Sequence, residues 1–231
     1  MPHKTHLVIA IPAYNEEKVI KKVIEQLPRQ IKGVGRISVF VINDGSTDNT
    51  ANEVEKTRAL LVNLPVNLGY GGASIAALEA SKALKADVAV TFDGDGQHSP
   101  SDIPHLIEPI LKGRADLVIG TRFKKSRTVP KVKKIGIRIM NFITFILSGY
   151  LPGDSQCGLK AFSRKALDKM ELNLSGMEFA SETIIEAQRQ HLKIVEVPVK
   201  IIYTSYSQRK GQSILNGINI LIKLIVKTLA G

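Results

Sequence analysis

A chain of 231 residues, 44% of them hydrophobic, is long enough for one domain with a large buried core and excludes wholesale disorder. A single cysteine, Cys157, excludes an internal disulfide framework, and no run of roughly 18 apolar residues is present to cross a membrane. The net charge of +11 is local: eight basic and no acidic residues lie between Asp116 and Asp154, and five basic and no acidic residues follow Glu196. The remainder holds 19 basic against 21 acidic residues, so the excess reads as two phosphate-facing segments rather than a general property.

In chain order, Leu7–Ile11 is an apolar run closed by Pro12 and reads as a buried strand. The N-terminus leading into it has too short an apolar run for a signal peptide. A helix is expected over Glu17–Gln26, with Val19, Ile20, Val23, Ile24 and Leu27 on helical spacing. Ile37–Ile42 is a second strand ended by Asn43-Asp44-Gly45-Ser46, and Thr47 or Asp48 is placed to cap a helix reaching about Arg58. Leu60–Asn63 is a third strand, Gly69–Gly72 a loop and Ala73–Leu84 a helix. Asp87–Phe92, a helix over Leu106–Lys112 and the strand Asp116–Gly120 complete the alternation. Strands apolar on both faces and separated by helices predict a largely parallel sheet covered on both sides. No repeat or low-complexity linker interrupts residues 1–212, the expected α/β domain; residues 213–231 are expected as a C-terminal amphipathic helix.

Polar residues gather where the strands end: Tyr14-Asn15-Glu16, Asp44-Gly45-Ser46, Asp93-Gly94-Asp95 and Thr121-Arg122. Open α/β sheets bind ligands beyond the carboxyl ends of their strands, so one shared site is expected. Each cluster alone would also serve as turn chemistry. In Asp93-Gly94-Asp95-Gly96-Gln97, two carboxylates on a Gly-loosened turn can share one hard cation, Mg²⁺ or Mn²⁺, together with substrate phosphates. A second carboxylate at the same sheet edge, Asp44, strengthens this reading over a plain Asp-Gly turn. Asn67-Leu68-Gly69-Tyr70-Gly71-Gly72 matches neither the dinucleotide fingerprint nor a P-loop, which removes the best support for hydride transfer and ATP hydrolysis. Its glycines either admit a nucleotide or turn the chain into the next helix.

The order of motifs resembles family 2 glycosyltransferases, in particular the dolichyl-phosphate mannose synthase branch with its polyprenyl-phosphate relatives. The residues carrying the resemblance, over about 7–213, are Ile11-Pro12-Ala13-Tyr14-Asn15-Glu16-Glu17, Asn43-Asp44-Gly45-Ser46-Thr47-Asp48, Asn67-Leu68-Gly69, Asp93-Gly94-Asp95-Gly96-Gln97, Gly120-Thr121-Arg122, Asp154-Ser155-Gln156-Cys157-Gly158 and Glu196-Val197-Pro198. It implies a GT-A, Rossmann-like nucleotide-sugar fold, an inverting transfer without a covalent sugar–enzyme intermediate, and a polyprenyl phosphate acceptor. By the same resemblance, Pro12, Tyr14, Glu16 and Asp44 are nucleotide-side contacts. Asp93, Asp95 and Gln97 are the metal and diphosphate site, and Arg122 with Lys133 or Lys134 holds the acceptor phosphate. Asp154 lies near the reacting centre, so Asp95, Arg122 and Asp154 are the catalytic candidates. A late basic loop over the diphosphate corresponds to Arg209 and Lys210, with Ile214 where the family pattern ends in Lys. GDP-mannose is the expected donor, with UDP-glucose and UDP-N-acetylglucosamine as alternatives.

A phosphate acceptor is already anionic near neutral pH, so a strong general base is not obligatory, and Asp154 is expected to orient groups as readily as to take a proton. At 100° per residue, Lys131–Ser148 places Ile135, Ile139, Phe142, Ile143 and Ile146 on one face and Lys131, Lys134, Arg138 and Asn141 on another. Ser213–Leu229 is more apolar, with a stripe of Asn216, Asn219, Lys223 and Lys227. Both read as helices in an anionic headgroup region, at the cytoplasmic face of a membrane; packing on the protein's own core or on a second subunit is the alternative. A sugar-phosphate nucleotidyltransferase would leave these basic helices unexplained. Nucleic acid is not an expected partner, because aromatic residues are few and tryptophan is absent. Cys157 reads as a packed residue in a tight loop, and His98 as a loop residue rather than a ligand.

Overall fold

The fold is given by a computed structural model that describes residues 4–122 and 131–202, with the side chains of 131–133 excepted. Arg209, Lys210, the expected helix Ser213–Leu229 and the side chain of Lys133 therefore lie outside the described residues.

The elements are β1 (His6–Ala13), α1 (Ile20–Gln26), β2 (Arg36–Asn43), α2 (Thr50–Glu55), β3 (Leu60–Asn63), α3 (Gly69–Ala83), β4 (Val88–Thr91), α4 (Ile103–Leu111), β5 (Leu117–Thr121), α5 (Lys131–Ser148), β6 (Lys160–Ser163), α6 (Arg164–Lys169), α7 (Phe179–Arg189) and β7 (Ile194–Pro198). A short 3₁₀ turn, Pro100–Asp102, leads into α4. The strands form one sheet in the order β3-β2-β1-β4-β6-β5-β7. All neighbouring pairs are parallel except those made by β6, which runs against both β4 and β5.

Alternation along β1 divides the core. Leu7, Ile9 and Ile11 pack with Ile20 and Ile24 of α1, Val54 of α2 and Ile103, Leu106 and Ile107 of α4. Val8 and Ala10 face Ala73 and Ala77 of α3, Ala166 and Leu167 of α6, and Phe179 and Ile184 of α7. Burial of both faces is why these strands read as continuous apolar runs.

Several expectations shift in detail. The helix after β1 starts at Ile20 rather than Glu17, and α2 ends at Glu55. The N-cap position of α2 is Asn49, without a side-chain capping bond, rather than Thr47 or Asp48; Asp48 instead accepts the Thr50 backbone N–H at 2.9 Å within the preceding turn. The Gly69–Gly72 segment is the first turn of α3 rather than a loop. Its glycines let the helix press against another segment: a Cβ on Gly71 would overlap the carbonyl oxygens of Leu174 and Gly176. β6, α6 and α7 carry no signal strong enough to be read from the sequence, because β6 is short and α7 is nearly all buried despite Glu182 and Glu186.

Helix α5 packs on α7, and Ile137, Asn141 and Thr144 are its buried residues. Ile135, Ile139, Phe142, Phe145 and Ile146 are exposed. Asn141 therefore faces inward, not toward the basic side where helical spacing alone placed it.

Candidate functional site

The site lies where β1, β2, β4 and β5 end and β6 begins. Register explains the convergence: Lys160, the first residue of β6, stands opposite Thr91 of β4 and Ile119 of β5. Because β6 runs the other way, the loop that precedes it, Asp154–Leu159, opens onto the same edge as the loops that follow the parallel strands. The two loops touch. Thr91 donates its hydroxyl to the Gly158 carbonyl at 2.9 Å, and a Cβ on Gly158 would overlap the Asp93 carboxylate. Only glycine permits that approach.

Asp93 is gripped from two sides. The Tyr70 hydroxyl donates to its Oδ1 at 3.4 Å, and His98 Nε2 lies 3.1 Å from its Oδ2. Burial alone would push the Asp93 carboxyl up, but the His98 contact and the charges of Lys160 and Arg122 outweigh it and hold it below its ordinary value. Burial, followed by the Asp93 charge, pushes Asp95 up. Asp95 accepts the Gln97 backbone N–H at 2.9 Å and also the Gln97 side-chain amide. No group of three or more His, Cys, Asp or Glu among the described residues is arranged to hold a metal, but the oxygen donors here suit a hard divalent cation of the kind that one or two carboxylates hold together with substrate phosphates. Burial and the Asp93 charge likewise raise the Tyr70 phenol, which keeps it a hydrogen-bond donor.

Facing this cluster is an ion pair. Arg122, just past β5, sets Nε 2.6 Å from Asp154 Oδ2 and its terminal nitrogen 2.6 Å from Oδ1, and its backbone N–H adds a bond of 3.2 Å. Asp154 is fully buried, while the Arg122 side chain keeps 15% exposure. Both carboxylate oxygens are thus engaged by one guanidinium, the geometry of an orienting group. Lys134 is half-buried in the first turn of α5 and is not part of that pair.

On the far side of β1, the loops after β1 and β2 interlock. Asn15 N–H donates to Ser46 Oγ at 3.0 Å, Thr47 N–H to Asn15 Oδ1 at 2.9 Å, and Glu16 N–H to Thr50 Oγ1 at 2.8 Å. Asp44 accepts from Leu68 N–H at 2.7 Å and Gly69 N–H at 3.0 Å, where negative charge suits the start of α3. Pro12 is at the end of β1 and Tyr14 is exposed beside it. At the other limit of the described chain, Ile202 N–H donates to the Gln97 carbonyl at 2.8 Å.

Sequence reasoning missed Tyr70, Lys160 and the importance of His98. His98 lies in the loop after β4, as expected, but it is buried, its Nδ1 finds no partner among the described residues, and its backbone bridges to Ile201. Lys160 is buried with its Nζ donating to the Cys157 carbonyl. Burial lowers its pKa, against the opposing pull of the Cys157 sulfur, Asp93 and Asp154. A lysine inside the strand Lys160-Ala161-Phe162 was the available signal, because an ionisable group in a buried strand needs a partner. Cys157 is packed as expected, with burial pushing its thiol up to about 12.

The family model of glycosyl transferase family 2 matches residues 8–171. The UDP-N-acetylglucosamine–dolichyl-phosphate N-acetylglucosaminyltransferase of Methanococcus voltae is 38% identical over 242 residues, covering 95% of this chain and 95% of that protein. The dolichol-phosphate mannosyltransferase of Pyrococcus furiosus is 29% identical over 90% of this chain and 59% of its own length. Among solved structures, glucosyl-3-phosphoglycerate synthase from Mycobacterium tuberculosis in complex with uridine diphosphate superposes with a TM-score of 0.74 at 22% identity, over 98% of this chain and 79% of that one. The shared architecture is the GT-A fold. On these grounds the chain belongs to glycosyl transferase family 2, as a glycosyltransferase of the polyprenyl-phosphate branch.

Proposed function

We propose that the enzyme moves one sugar from a nucleotide diphosphate sugar to a polyprenyl phosphate at a membrane surface, by a single displacement that inverts the anomeric centre. The observation that carries this reading is the juxtaposition, through Gly158, of an acidic donor-side cluster (Asp93, Asp95) with the oriented cation Arg122. A phosphate oxygen of the acceptor attacks the anomeric carbon while the bond from that carbon to the donor diphosphate breaks. Nucleophile and leaving group are both phosphate oxygens, so no proton needs removing and Asp154 serves by aiming Arg122. Asp95, Asp93 and Gln97 would hold the divalent cation, which when bound neutralises charge on the departing diphosphate. Pro12, Tyr14, Glu16 and Asp44 lie on the nucleotide side, and Lys133, Lys134, Arg209 and Lys210 add positive charge for the acceptor and diphosphate.

For the donor, the end-to-end likeness to the Methanococcus voltae enzyme supports UDP-N-acetylglucosamine ahead of the GDP-mannose expected from the motifs. The exposed Ile135, Ile139, Phe142 and Ile146 beside Lys134 and the exposed Arg138 suit an anionic lipid surface, the acceptor's own location. No helix among the described residues is long and apolar enough to cross a membrane.

Melting the protein with a panel of UDP- and GDP-sugars plus Mg²⁺ identifies the donor, since only a bound ligand raises the midpoint appreciably. Transfer to polyprenyl phosphate in anionic vesicles then tests the acceptor. Product formed with 3-phosphoglycerate and none with the lipid phosphate would overturn the reading.

A further inference from the structure

Asn141 connects the outer helix to the reacting centre in a way the reaction scheme leaves unused. Its side chain is buried on α5 and bonds the backbone on both sides of Asp154: Nδ2 donates to the Gly153 carbonyl at 3.0 Å, and Oδ1 accepts the Ser155 N–H at 2.8 Å. One turn later, the Thr144 hydroxyl donates to Ser181 Oγ at 2.9 Å, and the Gln156 amide donates to the same Ser181 oxygen at 2.9 Å. Helix α5 thus grips the loop directly at residues 153 and 155, and through Ser181 at 156, while Asp154 between them aims Arg122. A buried amide that satisfies two backbone groups at once fixes their separation, and losing it leaves the buried Ser155 N–H unpaired.

We infer that Asn141 is the positioning residue that couples the seat of α5 to the Asp154–Arg122 pair, and so sets the enzyme's grip on the acceptor phosphate. The inference rests on the acceptor reading given above. The opposite face of α5 carries Ile135, Ile139, Phe142 and Ile146, all exposed. Pressure on that face from a lipid surface is transmitted inward through a rigid helix to the two bonds around Asp154. Occupancy of the surface and geometry of the site are then one linked equilibrium, and a change at either end is felt at the other.

The test compares wild type, Asn141→Ala and Asn141→Asp. The aspartate keeps the acceptor for Ser155 N–H but loses the donor to Gly153. Steady-state kinetics are measured with polyprenyl phosphate in anionic vesicles, and hydrogen exchange of the 153–157 amides without acceptor. The alanine variant should raise the acceptor KM about tenfold and leave the donor KM within about twofold, with the aspartate variant between it and wild type. The Ser155 amide should exchange faster in the alanine variant. An alanine variant with a wild-type acceptor KM would overturn the coupling, as would donor and acceptor KM rising together with a lowered melting point, which marks a merely structural role. A wild type that glycosylates no polyprenyl phosphate would overturn the acceptor reading itself, and the coupling with it.

Discussion

The two sides of the site are built by different means. On the donor side, the loops after the parallel neighbours β1 and β2 are tied to each other by bonds between backbone and side chain, as in the Asn15–Ser46, Asn15–Thr47 and Glu16–Thr50 contacts, which span 31, 32 and 34 positions. On the acceptor side, the bonds reach as far or further. Arg122 meets Asp154 across 32 positions, Gly153 donates to Glu196 across 43, and Thr91 reaches Gly158 across 67. The donor side joins loops that follow strands already paired in the parallel ladder, whereas the acceptor side depends on the antiparallel β6 between β4 and β5.

The strongest way to break the comparison is to strike the donor side alone. Asp95→Asn should lower transfer by about a hundredfold to a thousandfold, the scale of losing one preorganised electrostatic contact to a developing charge. The melting point should hold, since that carboxyl is already raised by burial and by Asp93. Normal transfer in excess chelator would remove the metal from the scheme.

Next in size is Lys160→Met, which strikes both sides at once. Removing the cation takes one positive charge from beside Asp93 and Asp154, but Asp93 keeps His98 and Tyr70, and Asp154 keeps Arg122. The cost should therefore stay below the roughly 3–5 kcal/mol of stripping a buried charge of its partner. The effect should depend on pH. Asp93 has a depressed folded pKa, so its ionised form stabilises the fold above the ordinary carboxylate range, and that stability is lost as pH falls through the folded value. Without Lys160 the loss should begin at higher pH, readable from denaturant midpoints taken between neutral and acid conditions.

A smaller effect is expected on the outer face of α5. Phe142→Ser should change fold stability by no more than about 0.5 kcal/mol, as surface replacements usually do. Sedimentation with anionic vesicles should nevertheless weaken. Unchanged sedimentation would reassign the face to packing against protein.

The smallest effect is a null result. With its thiol pushed up to about 12 and fully buried, Cys157 should resist alkylation near pH 8 in the native protein and react only after unfolding. Because Cys157 sits in the loop between the two sides, faster labelling in Lys160→Met would show that the sides have parted.

The same contrast explains what could be read from residues alone. β1, β2, β4 and β5 were legible because their apolar runs are buried on both faces, and Asp44, Asp93 and Asp95 because they follow such strands, whereas β3 was read from composition although it is largely exposed. Asp154 and Arg122 were found as motif members, but their pairing depends on β6 inserting between β4 and β5, which no periodicity announces. Asn141 was misplaced for a related reason. A polar residue on an amphipathic helix is assigned to water by default, and only the position of the 153–155 backbone shows that it has protein partners. Helix α3 was begun four residues late because glycines there look like a loop until the neighbouring carbonyls of Leu174 and Gly176 are seen.

The place of β6 in the sheet also sets an order of assembly. As the chain leaves the ribosome, β1, β2, β3 and β4 can form their parallel ladder without waiting for anything made later. β5 cannot join them, because its neighbours are β6 and β7, not β4. Some forty residues separate the end of β5 from the start of β6, and the whole of α5 must be synthesised before β5 has a strand to pair with. During that interval β4 and β5 both present open edges, and the carboxylates of the donor side are in place with no counter-cation from Lys160. The acceptor half is therefore the last to be acquired in each newly made molecule, and the interval before β6 arrives is when a nascent chain is most exposed to wrong pairing.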